Sequence, residues 1–132
     1  MLAWLLGEDD SERVRDILAS AGVVVASDLT LVESDRVLNR AVTTGQMREV
    51  QAADRQATLN RAACHWILFR VDEEIVERAR RPFPVEPIRT LDALHLASAY
   101  VIRTLLPGLT LLSLDQRIRD CGQAMGFDVL PV

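Results

Sequence analysis

The stretch RTLDALHLASA, residues 89–99, places Asp92 and His95 three residues apart inside an otherwise apolar helical pattern. Thr90 is the predicted N-cap, and the Pro-Gly pair that follows the pattern predicts the helix end, so we expect a helix over residues 91–106. Asp92 then lies in the first helical turn, where the helix dipole stabilises a negative charge. Because its neighbours are apolar almost all round, this is an unusual place for a carboxylate.

Helical patterns alternate with short apolar runs along the rest of the chain. The predicted helices cover residues 2–7, 11–20, 29–44, 46–64, 72–81 and 116–125, and the predicted strands are GVVVAS (22–27), HWILFRV (65–71), LTLLSL (109–114) and FDVLPV (127–132). Strands separated by helices at these spacings imply βαβ units and a mostly parallel sheet with helices on both faces. We therefore expect one α/β domain over residues 1–132.

Composition limits the function classes. The net charge of −4 argues against a protein that holds nucleic acid through an overall positive field. All 15 basic residues are arginine, which suits bidentate contact with phosphate, although codon bias explains the same usage. No apolar run is long enough for a bilayer span and no secretory leader is recognisable, so we expect a cytoplasmic protein without membrane contact. Cys64 and Cys121 form no metal-binding spacing and are interpreted as reduced thiols.

Two polar residues stand at the end of a predicted parallel strand. Asp115 directly follows LTLLSL, and Ser113, two residues earlier, faces the same side of that strand. In open parallel sheets, ligands bind beyond the carboxyl ends of the strands. Asp115 is therefore a candidate functional residue, with helix N-capping as the alternative.

Glu33 is the third carboxylate in an unexpected position. It lies four residues after Leu29 and four before Val37, so it shares a helical row with two apolar side chains. Pairing with Arg36 or Arg40 is the alternative, just as helix initiation is for Asp92. If the three carboxylates converge, their mutual repulsion requires a cation, and hard divalent ions prefer oxygen ligands of this kind.

The segments LTLVE, RTLDALHLASA and LLSLDQRI, in this order and at these separations, resemble the acidic motifs of PIN-domain proteins, especially the VapC-like ribonuclease toxins of toxin–antitoxin pairs. The resemblance runs along the whole chain, and RTLDALHLASA is its most specific part. It implies a PIN-like, Rossmann-like three-layer α/β/α fold, a divalent-metal-dependent endoribonuclease, a homodimer and a cognate antitoxin. It maps the acidic metal-binding positions onto Glu33, Asp92 and Asp115, and the small hydroxyl position onto Ser113.

The implied cofactor is Mg²⁺ or Mn²⁺, held by these three acids near the scissile phosphate of an RNA substrate. Ser113 would hydrogen-bond a phosphate oxygen or orient Asp115. Arg117 and Arg119 are expected either to meet the RNA backbone or to lie on a solvated helix face. For His95, a buried, hydrogen-bonded role that positions the helix is favoured over general-base catalysis.

The family's first strand, a short apolar segment that ends in aspartate, has no counterpart before Leu2. We expect the native start to lie upstream, with a strand supplied by another chain and a decayed relative as the alternatives. A catalytically impaired PIN-fold binding module that keeps antitoxin or RNA contacts is the competing function. A third hypothesis is a phosphatase or a DNA nuclease that uses the same acids.

Overall fold

The computed structural model describes residues 11–132, so the predicted helix over residues 2–7 lies outside the described residues. The chain divides into two compact units, Met1–Arg70 and Val71–Val132, and each is described by itself. No helix in the described part of the chain combines the length and the apolar character that a membrane span needs.

The described part of the first unit alternates helices with two short strands. Its elements are α1 (Ser11–Ser20), β1 (Val25–Ser27), α2 (Asp28–Thr43), α3 (Glu49–Ala63) and β2 (Ile67–Phe69). Strands β1 and β2 pair in parallel with Val25 opposite Ile67, while α2 packs on both β1 and α3. Its buried apolar side chains include Val14, Ala26, Leu38, Ala41, Leu59 and Ala63.

Short-range signals fix where α2 begins and ends. The Ser27 hydroxyl accepts a hydrogen bond from the Leu29 amide at 3.0 Å, so Ser27 is the N-cap. The helix ends at Thr43, and Gly45 follows with a φ of 76°, a left-handed conformation that favours glycine. The chain can therefore reverse directly and enter α3.

The second unit repeats the alternation of helices and strands. Its elements are α4 (Glu73–Ala79), α5 (Thr90–Leu105), β3 (Leu111–Leu112), α6 (Gln116–Ala124) and β4 (Val129–Leu130). Helix α5 packs on α4 and α6, and β3 pairs with β4 in parallel. Its buried apolar side chains include Ile75, Phe83, Leu96, Ala97, Val101, Ile118, Cys121 and Phe127.

A glycine permits the close approach of α6 to β3. A Cβ atom at Gly122 would lie 2.5 Å from Cδ2 of Leu111, closer than side chains tolerate. Gly122 is buried, and its lack of a side chain lets the helix rest directly on the strand pair. This packing holds the last turn of α6 against the start of β3.

Arginine and aromatic side chains alternate across the second unit. The Arg78 guanidinium carbon lies 4.4 Å from the centre of the Phe83 ring and 5.1 Å from that of Tyr100. The Arg103 guanidinium carbon lies 5.9 Å from the centre of the Tyr100 ring and 4.0 Å from that of Phe127. These cation–π contacts join α4, the loop after it, α5 and the segment that leaves α6.

The proline-rich segment PFPVEPI, residues 82–88, forms a loop between α4 and α5. The Glu86 carboxylate closes it by accepting hydrogen bonds from the amides of Phe83, at 3.0 Å, and Ile88, at 2.8 Å. One glutamate thus supplies acceptors for two amides that no regular element uses. The loop leads directly into α5.

Both described strand pairs are parallel and are connected through helices, which confirms the predicted α/β class. The strands are shorter than predicted, with two residues paired where LTLLSL predicted six. The predicted N-cap Thr90 is wrong by one residue. Arg89 occupies the N-cap with extended backbone and no side-chain capping bond, and its carbonyl accepts from the Ala93 amide at 2.8 Å, so Thr90 is already helical.

Candidate active site

The turn from β3 into α6 brings together two of the predicted site residues, Ser113 and Asp115. The Ser113 amide donates to the Leu130 carbonyl at 3.0 Å, which extends the β3–β4 pairing by one bond. The Ser113 hydroxyl accepts from the Asp115 amide at 3.1 Å. Ser113 therefore orients the backbone of Asp115, one of the two roles expected of it.

Asp115 is the N-cap of α6. Its Oδ1 atom accepts hydrogen bonds from the amides of Arg117, at 2.9 Å, and Ile118, at 3.2 Å. The capping alternative is thus correct, and it is compatible with a second task, because no described residue donates a hydrogen bond to Oδ2. The side chain is exposed, so Oδ2 faces solvent with its orientation fixed through Oδ1.

Asp92 lies in the first turn of α5, as predicted. Asp92 is half-buried, whereas Leu91 before it is exposed and Ala93 after it is buried. Helices α5 and α6 pack on each other within the second unit. Asp92 lies in the first turn of α5 and Asp115 is the N-cap of α6, so each carboxylate lies at the start of one of two adjacent helices. At each start the helix dipole stabilises a negative charge.

Glu33 lies in α2 of the first unit, in the helical row that the sequence predicted. Leu29, Glu33 and Val37 are all half-buried, so the row lies at the margin between core and solvent. The next residue, Ser34, is buried and its hydroxyl donates to the Thr30 carbonyl at 2.8 Å. Glu33 therefore lies next to the buried face of α2.

The two arginines that follow Asp115 differ from each other. Arg117 is exposed, which is compatible with both expectations, a solvated helix face and contact with the RNA backbone. Arg119 is half-buried, and its guanidinium donates to the carbonyls of Ser113, at 2.9 Å, and Pro131, at 2.6 Å. The solvated helix face expected for Arg119 is wrong, because two of its donors bond backbone carbonyls, while contact with the RNA backbone stays a prediction.

His95 is half-buried on α5, one turn after Asp92, so the expected full burial is not observed. His65 is exposed and Trp66 half-buried. The other tryptophan of the sequence analysis, Trp4, lies outside the described residues.

The side chains that could hold the predicted metal ion are carboxylates. Within each unit, taken by itself, the described residues contain no group of three or more His, Cys, Asp or Glu side chains that could hold a metal ion. Mg²⁺ commonly takes one or two protein carboxylates and completes its shell with water and substrate phosphate. The carboxylates of Asp92 and Asp115 in the second unit, with Oδ2 of Asp115 exposed, fit that requirement in donor type.

Comparison with known proteins places these residues in a wider family. The model of a family described as PIN domain matches residues 1–123. The chain is 39% identical over 70 residues to Ribonuclease VapC46 of Mycobacterium tuberculosis. This match covers 53% of this chain and 52% of that protein, so it spans about half of the relative's length. It is also 25% identical over 113 residues to Ribonuclease VapC35 of the same species, which covers 75% of this chain and 84% of that protein.

Proposed function

Because this chain belongs to the PIN domain family, whose fold is a three-layer α/β/α arrangement, we propose that it is a divalent-metal-dependent endoribonuclease. It hydrolyses RNA phosphodiester bonds and is the toxin of a toxin–antitoxin pair. The observation that carries the proposal is the turn from β3 into α6, where Asp115 has one carboxylate oxygen fixed by the helix and the other exposed. The names of the two ribonuclease relatives support the same activity.

In this proposal Asp92 and Asp115 hold Mg²⁺ or Mn²⁺. When bound, such an ion lowers the pKa of an attacking water and offsets the charge that develops on the phosphoryl oxygens. The protein supplies fixed oxygen donors, of which Asp115 is the best defined. Since the Ser113 hydroxyl accepts from the Asp115 amide, its own proton remains available for donation to a phosphate oxygen of the RNA.

RNA specificity is expected to come from surface arginines rather than from net charge. Arg48, Arg61 and Arg89 are exposed and Arg55 is half-buried. Arg89 stands three residues before Asp92, so it is placed to meet phosphates next to the one that is cleaved. The remaining parts of the proposal are a cytoplasmic homodimer and an antitoxin that blocks the acidic site.

The direct test is cleavage of a structured RNA pool by the purified chain with Mg²⁺ or Mn²⁺, with EDTA, and as the Asp92→Asn variant. Cleavage that requires the metal ion and is lost in Asp92→Asn supports the ribonuclease. Single-stranded DNA and a small phosphomonoester are run in parallel, and preferred turnover of either would replace RNA as the substrate. Absence of all cleavage by a folded chain would instead favour the non-catalytic binding module.

The toxin assignment has its own test. Expression of the chain in bacteria should arrest growth, whereas expression of Asp92→Asn at the same level should not. Unimpaired growth with the active chain would contradict the toxin role while leaving the cleavage result intact.

A further inference from the structure

Arg119 is bound to the same turn that carries Ser113 and Asp115. The two terminal nitrogens of its guanidinium donate hydrogen bonds to two different segments. Nη1 donates to the Ser113 carbonyl at the end of β3, and Nη2 donates to the Pro131 carbonyl just after β4. The Arg119 amide also donates to the Asp115 carbonyl at 3.0 Å in the first turn of α6. One residue therefore joins the strand pair to the helix start on which Asp115 stands.

The arrangement leaves the turn little freedom. Ser113 has its amide bonded to Leu130, its carbonyl to Arg119 and its hydroxyl to Asp115. Asp115 in turn is fixed by the amides that its Oδ1 accepts. The contacts from the half-buried Arg119 are charge-assisted, as are the bonds to Oδ1 of Asp115, and such bonds are stronger than those between neutral groups.

We propose that Arg119 is a positioning residue that holds the Asp115 carboxylate in the orientation needed for metal binding and catalysis. This inference rests on the proposed ribonuclease function. Arg119 is not expected to touch RNA, because its donors point to backbone carbonyls. Partners that orient a metal ligand commonly change metal affinity or activity by about 10- to 100-fold when they are removed.

Lysine and methionine at this position separate geometry from charge. Lysine carries one compact ammonium group and cannot span two carbonyls in the planar fork that arginine presents. Methionine keeps apolar bulk but has no donor. The expected order of RNA cleavage is therefore wild type, then Arg119→Lys, then Arg119→Met.

Arg103 offers a matched control in the same unit. It too is half-buried and donates to a backbone carbonyl, that of Met125 at 2.9 Å, but beyond the opposite end of α6. Arg103→Met should destabilise the unit and leave cleavage by the folded fraction unchanged. A purely structural role for Arg119 would make the two methionine variants behave alike.

Three measurements on the full chain test the inference. Amide hydrogen exchange at Asp115, followed by NMR, should be at least about tenfold faster in Arg119→Met than in Arg103→Met, after correction for global stability. Mn²⁺ affinity, measured by calorimetry without RNA, should fall about tenfold in Arg119→Met alone. In cleavage assays, kcat should fall by about 10- to 100-fold with KM for RNA nearly unchanged.

The outcomes separate this inference from the proposed function. Unchanged Asp115 exchange in Arg119→Met overturns the positioning role, whatever the cleavage result. A raised KM with unchanged kcat overturns it in favour of direct RNA contact. If wild type neither binds Mn²⁺ nor cleaves RNA, the proposed function fails and the catalytic part of the inference fails with it, even where exchange at Asp115 responds as expected.

Discussion

The Arg103 guanidinium carbon lies 4.0 Å from the centre of the Phe127 ring, and one of its nitrogens donates to the Met125 carbonyl at 2.9 Å. The two contacts tie the last turns of α5 to the segment that leaves α6. Loss of both in Arg103→Met should lower the free energy of unfolding by about 1–3 kcal/mol, from the usual worth of a cation–π contact and a charged hydrogen bond. Urea unfolding of wild type and Arg103→Met measures the difference in the free energy of unfolding. A difference under about 0.5 kcal/mol, typical of an ordinary surface substitution, would contradict the stabilising role of the two contacts.

Asp115 performs two tasks that substitutions can separate. Asp115→Asn keeps a side-chain oxygen for the N-cap and removes the negative charge, so stability should change little while RNA cleavage is lost. Asp115→Ala removes both and should lower the free energy of unfolding by about 1 kcal/mol. Thermal unfolding and cleavage are measured on the same preparations. Full cleavage by a folded Asp115→Asn chain would show that Asp115 only caps the helix.

Ser27 should contribute to the first unit through its cap of α2. Ser27→Ala removes the acceptor for the Leu29 amide and should cost about 1 kcal/mol of unfolding free energy. Ser20→Ala is the control, because the exposed Ser20 hydroxyl donates to the Ile17 carbonyl, at 3.1 Å, near the end of α1 and caps no helix start. Chemical unfolding compares the two variants. Equal effects would mean that the cap is not what stabilises α2.

The two cysteines should differ in reactivity. Cys64 is exposed, whereas Cys121 is buried, and burial raises the pKa of the Cys121 thiol above its ordinary value. Iodoacetamide at mildly alkaline pH should therefore modify Cys64 first and reach Cys121 only on unfolding, since the thiolate is the reactive form. Mass spectrometry over time reads out both sites, and comparable rates would place Cys121 in contact with solvent.

The same shift gives a pH dependence with a definite sign. A folded-state pKa above the unfolded one means that folded Cys121 retains its proton where the unfolded chain loses it. Its contribution to stability is then complete below the unfolded thiol pKa and is lost as the pH rises through the folded value. Cys121→Ser, compared with wild type across alkaline pH, should flatten that part of the decline.

Local sequence signals predicted much of the fold because they act between near neighbours. Ser27 and Asp115 cap helices through amides two and three residues away, and the Ser113 hydroxyl accepts from an amide only two residues further on, that of Asp115. The solvated helix face predicted for Arg119 was wrong because one of its partners is the Pro131 carbonyl. Pro131 comes close to Arg119 only through the parallel pairing of β3 with β4. The N-cap of α5 is Arg89 and not Thr90. The Arg89 carbonyl closes the first turn, and no capping side chain marks the position in the sequence.

The division into two units has a spectroscopic consequence. Both tryptophans fall in the first unit, at positions 4 and 66, and the one tyrosine of the chain, Tyr100, falls in the second, between two guanidinium groups. Indole emission and phenol absorbance therefore report on different halves of the chain without any added label. If the chain unfolds as the single domain that its length predicts, the two signals will change at one denaturant concentration, and separate midpoints would show that each half melts on its own.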